Sequence, residues 1–161
     1  MALAHETVTQ KDNDVFRGYV QQVGIVDTAL ASGASLGLVV KTSAYSFNIA
    51  FAVAAGATGR VRIYEDPVVT SCTLTAACNT NRHKAGLASV AASFGSAPVF
   101  ATASASLLFD RVTTRVSAAG TQAVTDVDWI LADNTTYIIA VHNLANAASA
   151  FSVAARCVFR T

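Results

Sequence analysis

Adjacent carboxylates at Glu65 and Asp66 are residues whose types could support acid–base chemistry. The run before them, RVRIY, alternates polar and apolar residues, which predicts a half-buried strand with Val61 and Ile63 on one face. Neighbouring residues on a strand point to opposite sides, so the two carboxylates cannot converge on one bond unless the chain bends. Pro67 follows, and a proline cannot donate to a central ladder. We therefore interpret Tyr-Glu-Asp-Pro as a hydrogen-bonded turn.

Residue types that bind metals are present without the spacing that metal sites use. The histidines are His5, His83 and His142, and they form neither an HxH nor an HExxH pattern. Asp126 and Asp128 share a strand face near Asp133, but no glycine-bearing calcium loop accompanies them. We predict surface roles for these groups, and neither a metal nor a cofactor.

Signatures of covalent catalysis and nucleotide binding are absent from the sequence. There is no GxSxG elbow, P-loop or dinucleotide fingerprint, so the sequence predicts a protein that is not an enzyme. A Ser/His/Asp arrangement stays open, because sequence alone cannot exclude one. Trp129 follows the pattern of an inward strand residue and is interpreted as core, with a sugar-stacking platform as the alternative.

The chain has three cysteines, Cys72, Cys78 and Cys157. An odd number fits a reducing compartment in which thiols stay free. Five residues separate the first two, which is neither a zinc-ribbon nor a redox CxxC spacing. We interpret all three as small buried or half-buried side chains, with a Cys72–Cys78 crosslink as the alternative.

Length and charge favour a structural protein. The 161 residues suffice for one domain with its own core. Charged residues make up 13% of the chain, against about 25% in typical domains, so we expect other protein to cover part of the exterior, as in a homo-oligomer. A net charge of +1 argues against nucleic acid as a partner. With no signal-peptide pattern and no apolar run of about 20 residues, we expect synthesis in the cytosol and no membrane contact.

Period-two patterning dominates the chain and predicts strands almost throughout. Residues 1–15 form a polar N-terminal arm, and residues 16–161 form a single β-sandwich domain. Val15–Val26 is expected to be an edge strand, followed by a connection over Ala29–Gly37. Tyr45–Val53 alternates bulky and small residues, and Gly56–Gly59 is predicted to join it to Arg60–Glu65 as a hairpin.

The later segments continue the pattern. Leu87–Gly95 fits a short helix or a strand equally well, and Cys78–Gly86 is a loop. The remaining predicted strands are Val68–Ala76, Val99–Phe109, Arg111–Val116, Val124–Leu131, Thr135–Asn143 and Ala150–Phe159. Eight or nine strands with short connections predict an all-β fold, an antiparallel β-sandwich or jelly roll.

Several short motifs occur in an order that resembles a family of small structural proteins of tailed-bacteriophage virions. The motifs are Tyr64–Pro67, Asn79–Arg82, Leu107–Asp110, Gly120–Thr121, Trp129–Leu131, Asn134–Tyr137 and Asn143–Leu144, and the match covers residues 44–159. The resemblance implies a capsid decoration or cement protein on the outer surface of the head. Its partners would be the major capsid protein and copies of itself, and its location the virion. A head-fibre or tail-fibre component is the nearest alternative.

A second function class also stays open: a carbohydrate-binding β-sandwich that grips a host-surface glycan through exposed aromatic residues. For the capsid interpretation, the candidate interface comprises the polar arm and the Asn/Arg-rich loop. These residues are Lys11, Asp12, Asn13, Asp14, Asn79, Asn81, Arg82, His83 and Lys84. We expect the arm to become ordered when it docks on a neighbour.

Overall fold

The computed structural model describes residues 20–44, 47–74, 78–79, 92–114, 122–124 and 128–159. These residues form twelve strands. They are β1 (Val20–Leu30), β2 (Ser35–Thr42), β3 (Phe47–Ala55), β4 (Gly59–Glu65), β5 (Val68–Leu74), β6 (Cys78–Asn79), β7 (Ala92–Ala101), β8 (Ser106–Thr113), β9 (Gln122–Val124), β10 (Asp128–Leu131), β11 (Thr136–Asn143) and β12 (Ser149–Phe159). The all-β prediction is confirmed, with more strands than expected.

The strands form two antiparallel sheets that enclose the core. Sheet A has the order β10-β3-β12-β1-β6, with β9 also paired to β3. Sheet B has the order β5-β7-β2-β11-β4-β8. The first four strands alternate between the sheets and pair with the last two: β1 and β3 flank β12, while β2 and β4 flank β11. This wrapped order of eight strands is that of a jelly roll, with β5, β6, β7 and β9 added to it.

The core lies where the inward faces of the two sheets meet. The bulky face of β3 is buried through Ile49, Phe51 and Val53, as the alternation predicted. On β4, Val61 and Ile63 are buried, while Arg60, Arg62 and Tyr64 lie on the other face and stay partly exposed. Burial of one side of each strand therefore sets the register of the sandwich.

The predicted hairpin between β3 and β4 is wrong. β3 pairs with β9, β10 and β12 in sheet A, whereas β4 pairs with β8 and β11 in sheet B. The connection therefore passes from sheet A to sheet B at the edge of the core. It passes close to the Phe151 ring, because a Cβ at Gly59 would stand 2.7 Å from that ring. Two strands that both bury alternate residues can lie in one sheet or face each other across two, so the local pattern did not distinguish these arrangements.

Other boundaries also differ from the predictions. β1 pairs with β12 along its length, while the two-residue β6 pairs with it only at Gln21 and Gln22, so among the described residues most of β1 lies at the edge of sheet A, as predicted. The connection after it is shorter than predicted, because Ala31–Ala34 turns through Gly33 at φ 75° and β2 begins at Ser35. The predicted strand Val99–Phe109 is two strands, since the chain turns between β7 and β8, where the Ala105 amide donates to the Thr102 carbonyl. The ambiguous segment 87–95 is a strand over its described part.

The Glu-Asp-Pro segment reverses the chain and sends β5 back over the outer face of sheet B. Asp66 has φ 51°, and its amide donates to the Thr136 carbonyl at 2.8 Å. β5 then pairs with β7, and we call this pair, Val68–Leu74 with Ala92–Ala101, the β5–β7 ribbon. The ribbon joins sheet B where β7 pairs with β2 up to Leu38↔Ser96, and β7 leaves that strand at Ala97, which has φ 49°.

Candidate functional surfaces

One half of the outer face of sheet B, on β4 and β8, carries an exposed ionic cluster. The Arg60 guanidinium donates two hydrogen bonds of 2.6 Å to the Asp110 carboxylate, and Arg62 Nε donates a third at 3.3 Å. Hydrogen bonding from Arg60 lowers the pKa of Asp110 and raises that of Arg60 itself. Two arginines share one carboxylate, so the cluster keeps one positive charge, which solvent and salt screen on this exposed face.

His142 and Ser35 lie beside this cluster on neighbouring strands. Ser35 Oγ and His142 Nδ1 are 2.8 Å apart. A hydroxyl next to an imidazole is the first requirement of a nucleophilic site, but such sites also exclude water. Here Ser35 is exposed and His142 is half-buried on a sheet face. We interpret the contact as a cross-strand pair that ties β2 to β11.

The other half of this face, over β2 and β11, is apolar and covered. Val39, Ile138 and Ala140 are buried although they point away from the main core, and Val69 and Phe100 of the β5–β7 ribbon pack on them. The Phe100 ring lies 5.7 Å from the Tyr64 ring, and Pro98 lies directly above Gly37. The ribbon therefore forms a partial third layer with a small second core.

Two of the sequence motifs, Tyr64–Pro67 and Asn134–Tyr137, meet at one corner of the sandwich. Tyr137 Oη donates to Glu65 Oε1 at 2.7 Å and accepts from the Ala132 amide at 2.9 Å. Burial and this hydrogen bond raise the pKa of Tyr137 to about 12. Hydrogen bonds thus join the Tyr-Glu-Asp-Pro turn to the start of β11. This confirms the turn and hydrogen-bonding roles predicted for Glu65 and Asp66.

A second polar residue with a structural role is Asn143, which is completely buried. Its Nδ2 donates to the carbonyls of Leu30 and Ala147 at 2.8 and 3.0 Å, and its Oδ1 accepts from the Ala145 amide at 2.9 Å. Because all these partners are main-chain groups, Asn143 fixes the connection after β11 and is not available to a ligand.

Trp129 is half-buried against the core, where it lines a narrow gap with Ile49, Phe51 and Leu131. The gap is lined only by apolar surface, and the buried Trp129 Nε1 has no hydrogen-bond partner. This environment agrees with the predicted core role. Among the aromatic side chains that the structure describes, none is exposed, which gives a sugar ring no stacking platform on those residues.

The cysteines do not behave alike. Cys157 is buried, as predicted, and burial raises the pKa of its thiol to about 12. Cys72 is free and exposed on β5, so the expectation of a buried or half-buried side chain is wrong for it. The side chain of Cys78 lies outside the described residues.

The predicted interface residues fall almost entirely outside the described part of the chain. This applies to Lys11, Asp12, Asn13, Asp14, Asn81, Arg82, His83 and Lys84. Asn79 is described through its backbone, which pairs with Gln21 as part of β6. The candidate interface therefore stays a prediction.

A surface that the sequence reasoning missed is the strand β5. Six of its seven side chains are exposed, and Leu74 and Val68 are 81% and 58% exposed. The segment VVTSCTL contains no charged residue. That composition was a usable signal, because edge strands of monomeric proteins usually carry charges.

Two structural findings bear on other classes of site. Within the described ranges, no group of three His, Cys, Asp or Glu side chains is arranged to hold a metal ion. The same residues include no helix with the length and hydrophobicity needed to span a membrane.

Comparison with known proteins adds no relative. No protein-family model, curated protein or solved structure matches the chain.

Proposed function

We propose that the chain is a structural protein of a tailed-bacteriophage virion, a decoration or cement protein that binds the outer surface of the head and stabilises it. One observation carries the proposal most directly: among the described residues, large apolar side chains on surface strands, such as Val26, Leu74 and Ile130, are exposed and available for binding. A protein of this kind works by surface contact and needs no reacting groups. It is not an enzyme.

The fold is compatible with this role. Jelly rolls occur in viral capsid proteins, and also in lectins and other families, so the architecture alone does not select a function. The order of the motifs favours the phage interpretation, and two of them, Tyr64–Pro67 and Asn134–Tyr137, meet at the hydrogen-bonded Glu65–Tyr137 corner.

Affinity for a capsid would come from burial and repetition. Exposed apolar residues on strands lose contact with water when they meet a neighbouring subunit, and sheet edges add main-chain hydrogen bonds. Many copies on a symmetric shell then add avidity. The partners are the major capsid protein and further copies of this chain, with neither nucleic acid nor membrane involved. The protein would be synthesised in the host cytoplasm and act on the capsid exterior.

Cryo-electron microscopy of virions made with and without the gene for this chain tests the proposal. We expect density at regular positions on the outside of the head to disappear when the gene is deleted, with a lower temperature of capsid disruption. Loss of density from the tail or from a head fibre would support the fibre alternative. Specific hits on a glycan array, with an unchanged shell, would support the carbohydrate-binding alternative.

The polar N-terminal arm provides a narrower test of the same proposal. Removal of residues 1–14 should reduce occupancy on purified capsids while the melting temperature of the isolated protein changes little. Undiminished occupancy of the truncated protein would contradict a docking role for the arm.

A further inference from the structure

The open half of the outer face of sheet B combines charged groups with exposed apolar side chains. Residues that lie opposite each other on β4 and β8 share this face, and we call the set the β4–β8 surface: Arg60, Arg62, Tyr64, Leu107, Asp110 and Val112. Leu107 and Val112 are 51% and 53% exposed. Arginine and tyrosine beside apolar groups is a composition that is enriched in protein–protein interfaces.

The charges on the β4–β8 surface do not balance. Both guanidiniums contact the one Asp110 carboxylate, at 2.6 Å from Arg60 and 3.3 Å from Arg62, so one positive charge is left over. Within the described part of the chain, Arg60 Nη1 and Arg62 Nη2 have no hydrogen-bond partner. The two side chains are 40% and 37% exposed. A second carboxylate would therefore meet free donors and an uncompensated charge.

This excess charge decides which kind of partner can cover the surface. Solvent and salt screen the charge while it is exposed, and a partner that excludes water removes that screening. An arginine covered without a counter-charge is strongly unfavourable, so a purely apolar partner does not fit. A protein surface that contributes an Asp or Glu side chain avoids this cost, and its apolar atoms bury Leu107 and Val112. A phosphate or sulfate group offers no such apolar contact.

We propose that the chain docks on its protein partner through the β4–β8 surface, and that a carboxylate side chain of the partner binds Arg60 and Arg62. The inference rests on the proposed function, which makes the outer surface of the head the partner. The incoming carboxylate accepts charge-assisted hydrogen bonds from the free guanidinium donors, while Asp110 keeps the two arginines in position. The β5–β7 ribbon covers the other half of this sheet face, which confines docking to the open half.

Two substitutions of opposite sign in the same cluster test the proposal against purified heads that lack this protein. Arg62→Gln removes the excess positive charge and should weaken binding to these heads about tenfold. Asp110→Asn adds one positive charge and keeps an oxygen that accepts from Arg60, so binding should become about three- to tenfold tighter. Both differences should shrink in about 0.5 M NaCl. If the cluster only joined β4 to β8, both variants would bind more weakly.

Arg156→Gln is the matched control, because Arg156 lies on the outer face of sheet A, between the inward-facing Ala155 and Cys157. It should bind heads as the wild-type chain does. The melting temperature of each variant, measured in parallel, shows that it is folded.

Each result has a distinct meaning. Equal binding of the wild-type chain, Arg62→Gln and Asp110→Asn would overturn the docking surface and leave the proposed function standing. Weaker binding of Asp110→Asn, or an equal loss in Arg156→Gln, would also overturn it. A wild-type chain that does not bind heads at all would overturn the proposed function together with this partner. Loss of binding to an anionic glycan on an array, with binding to heads unchanged, would reassign the arginines to a sugar and contradict the proposal.

Discussion

The two halves of the outer face of sheet B differ in how they meet their surroundings. Over β4 and β8 the face is open and polar, with Arg60, Arg62 and Asp110 in contact with water. Over β2 and β11 the face is apolar, and the β5–β7 ribbon covers it. The comparison teaches that one sheet face can be half surface and half core, and that the reversal at Asp66 decides where the boundary lies.

The largest expected effect follows from the covered half. Ile138→Ala removes a side chain that is 0% exposed and should lower the free energy of unfolding by about 2–5 kcal/mol. Ile130→Ala is the matched control, because Ile130 is 76% exposed and should cost about 0.5 kcal/mol or less. Urea denaturation measures both. Equal losses would mean that the ribbon does not bury Ile138.

A pair of glycine substitutions tests the contact between ribbon and sheet. In Gly37→Ala the new Cβ would stand 2.8 Å from Pro98 Cγ, so the ribbon must shift, at a cost of about 1–3 kcal/mol. In Gly24→Ala the nearest atoms are 3.7 Å away, an ordinary contact, and stability should not fall. Thermal unfolding of the two variants compares them directly. If Gly37→Ala loses no stability, Pro98 does not pack against the sheet at this position.

Beneath the boundary between the halves, Tyr137 predicts an alkaline pH dependence. Its pKa is raised to about 12 from an ordinary value of 10.0. Because the folded state favours the neutral phenol, this stabilisation is complete below about pH 10 and is lost as the pH rises towards 12. Tyr137→Phe should lose about 1–2 kcal/mol at neutral pH through its unpaired partners and show a shallower alkaline decline. Parallel stability profiles from pH 8 to 12 would contradict this assignment.

The smallest effect is expected in the open half. Asp110→Asn removes an exposed ion pair, so the melting temperature at neutral pH should stay within experimental error. The lowered pKa of Asp110 stabilises the folded state above its ordinary value of 3.8, and this contribution disappears as the pH falls further. Acid titrations of both proteins should differ only in that range. A large fall in the melting temperature of Asp110→Asn at neutral pH would contradict the difference in stability that we expect between the two halves.

Much of the fold was predictable from residues in sequence order. The alternation in β3 and β4 identified which side chains are buried, because only one face of a strand can meet the core. Pro67 marked the end of β4 for a reason that needs no tertiary information. The connection at Gly56–Gly59 was not predictable, since three or four residues can turn a chain within a sheet or carry it across to another sheet.

Of the candidate surfaces, one feature could likewise be predicted from the sequence and another could not. The lack of charge in β5 can be read from the sequence, and it is a property of the strand itself. That Val69 and Phe100 cover Ile138 cannot be read there, because these residues lie far apart along the chain and meet only when the ribbon folds back.

The sequence by itself determined the all-β class, the buried faces of β3 and β4 and the turn after Glu65, because these depend on neighbouring residues and backbone geometry. Only the tertiary structure decided which sheet each strand joins and which part of sheet B is covered. Those outcomes depend on long-range packing, where several arrangements satisfy the same alternation and total burial selects among them.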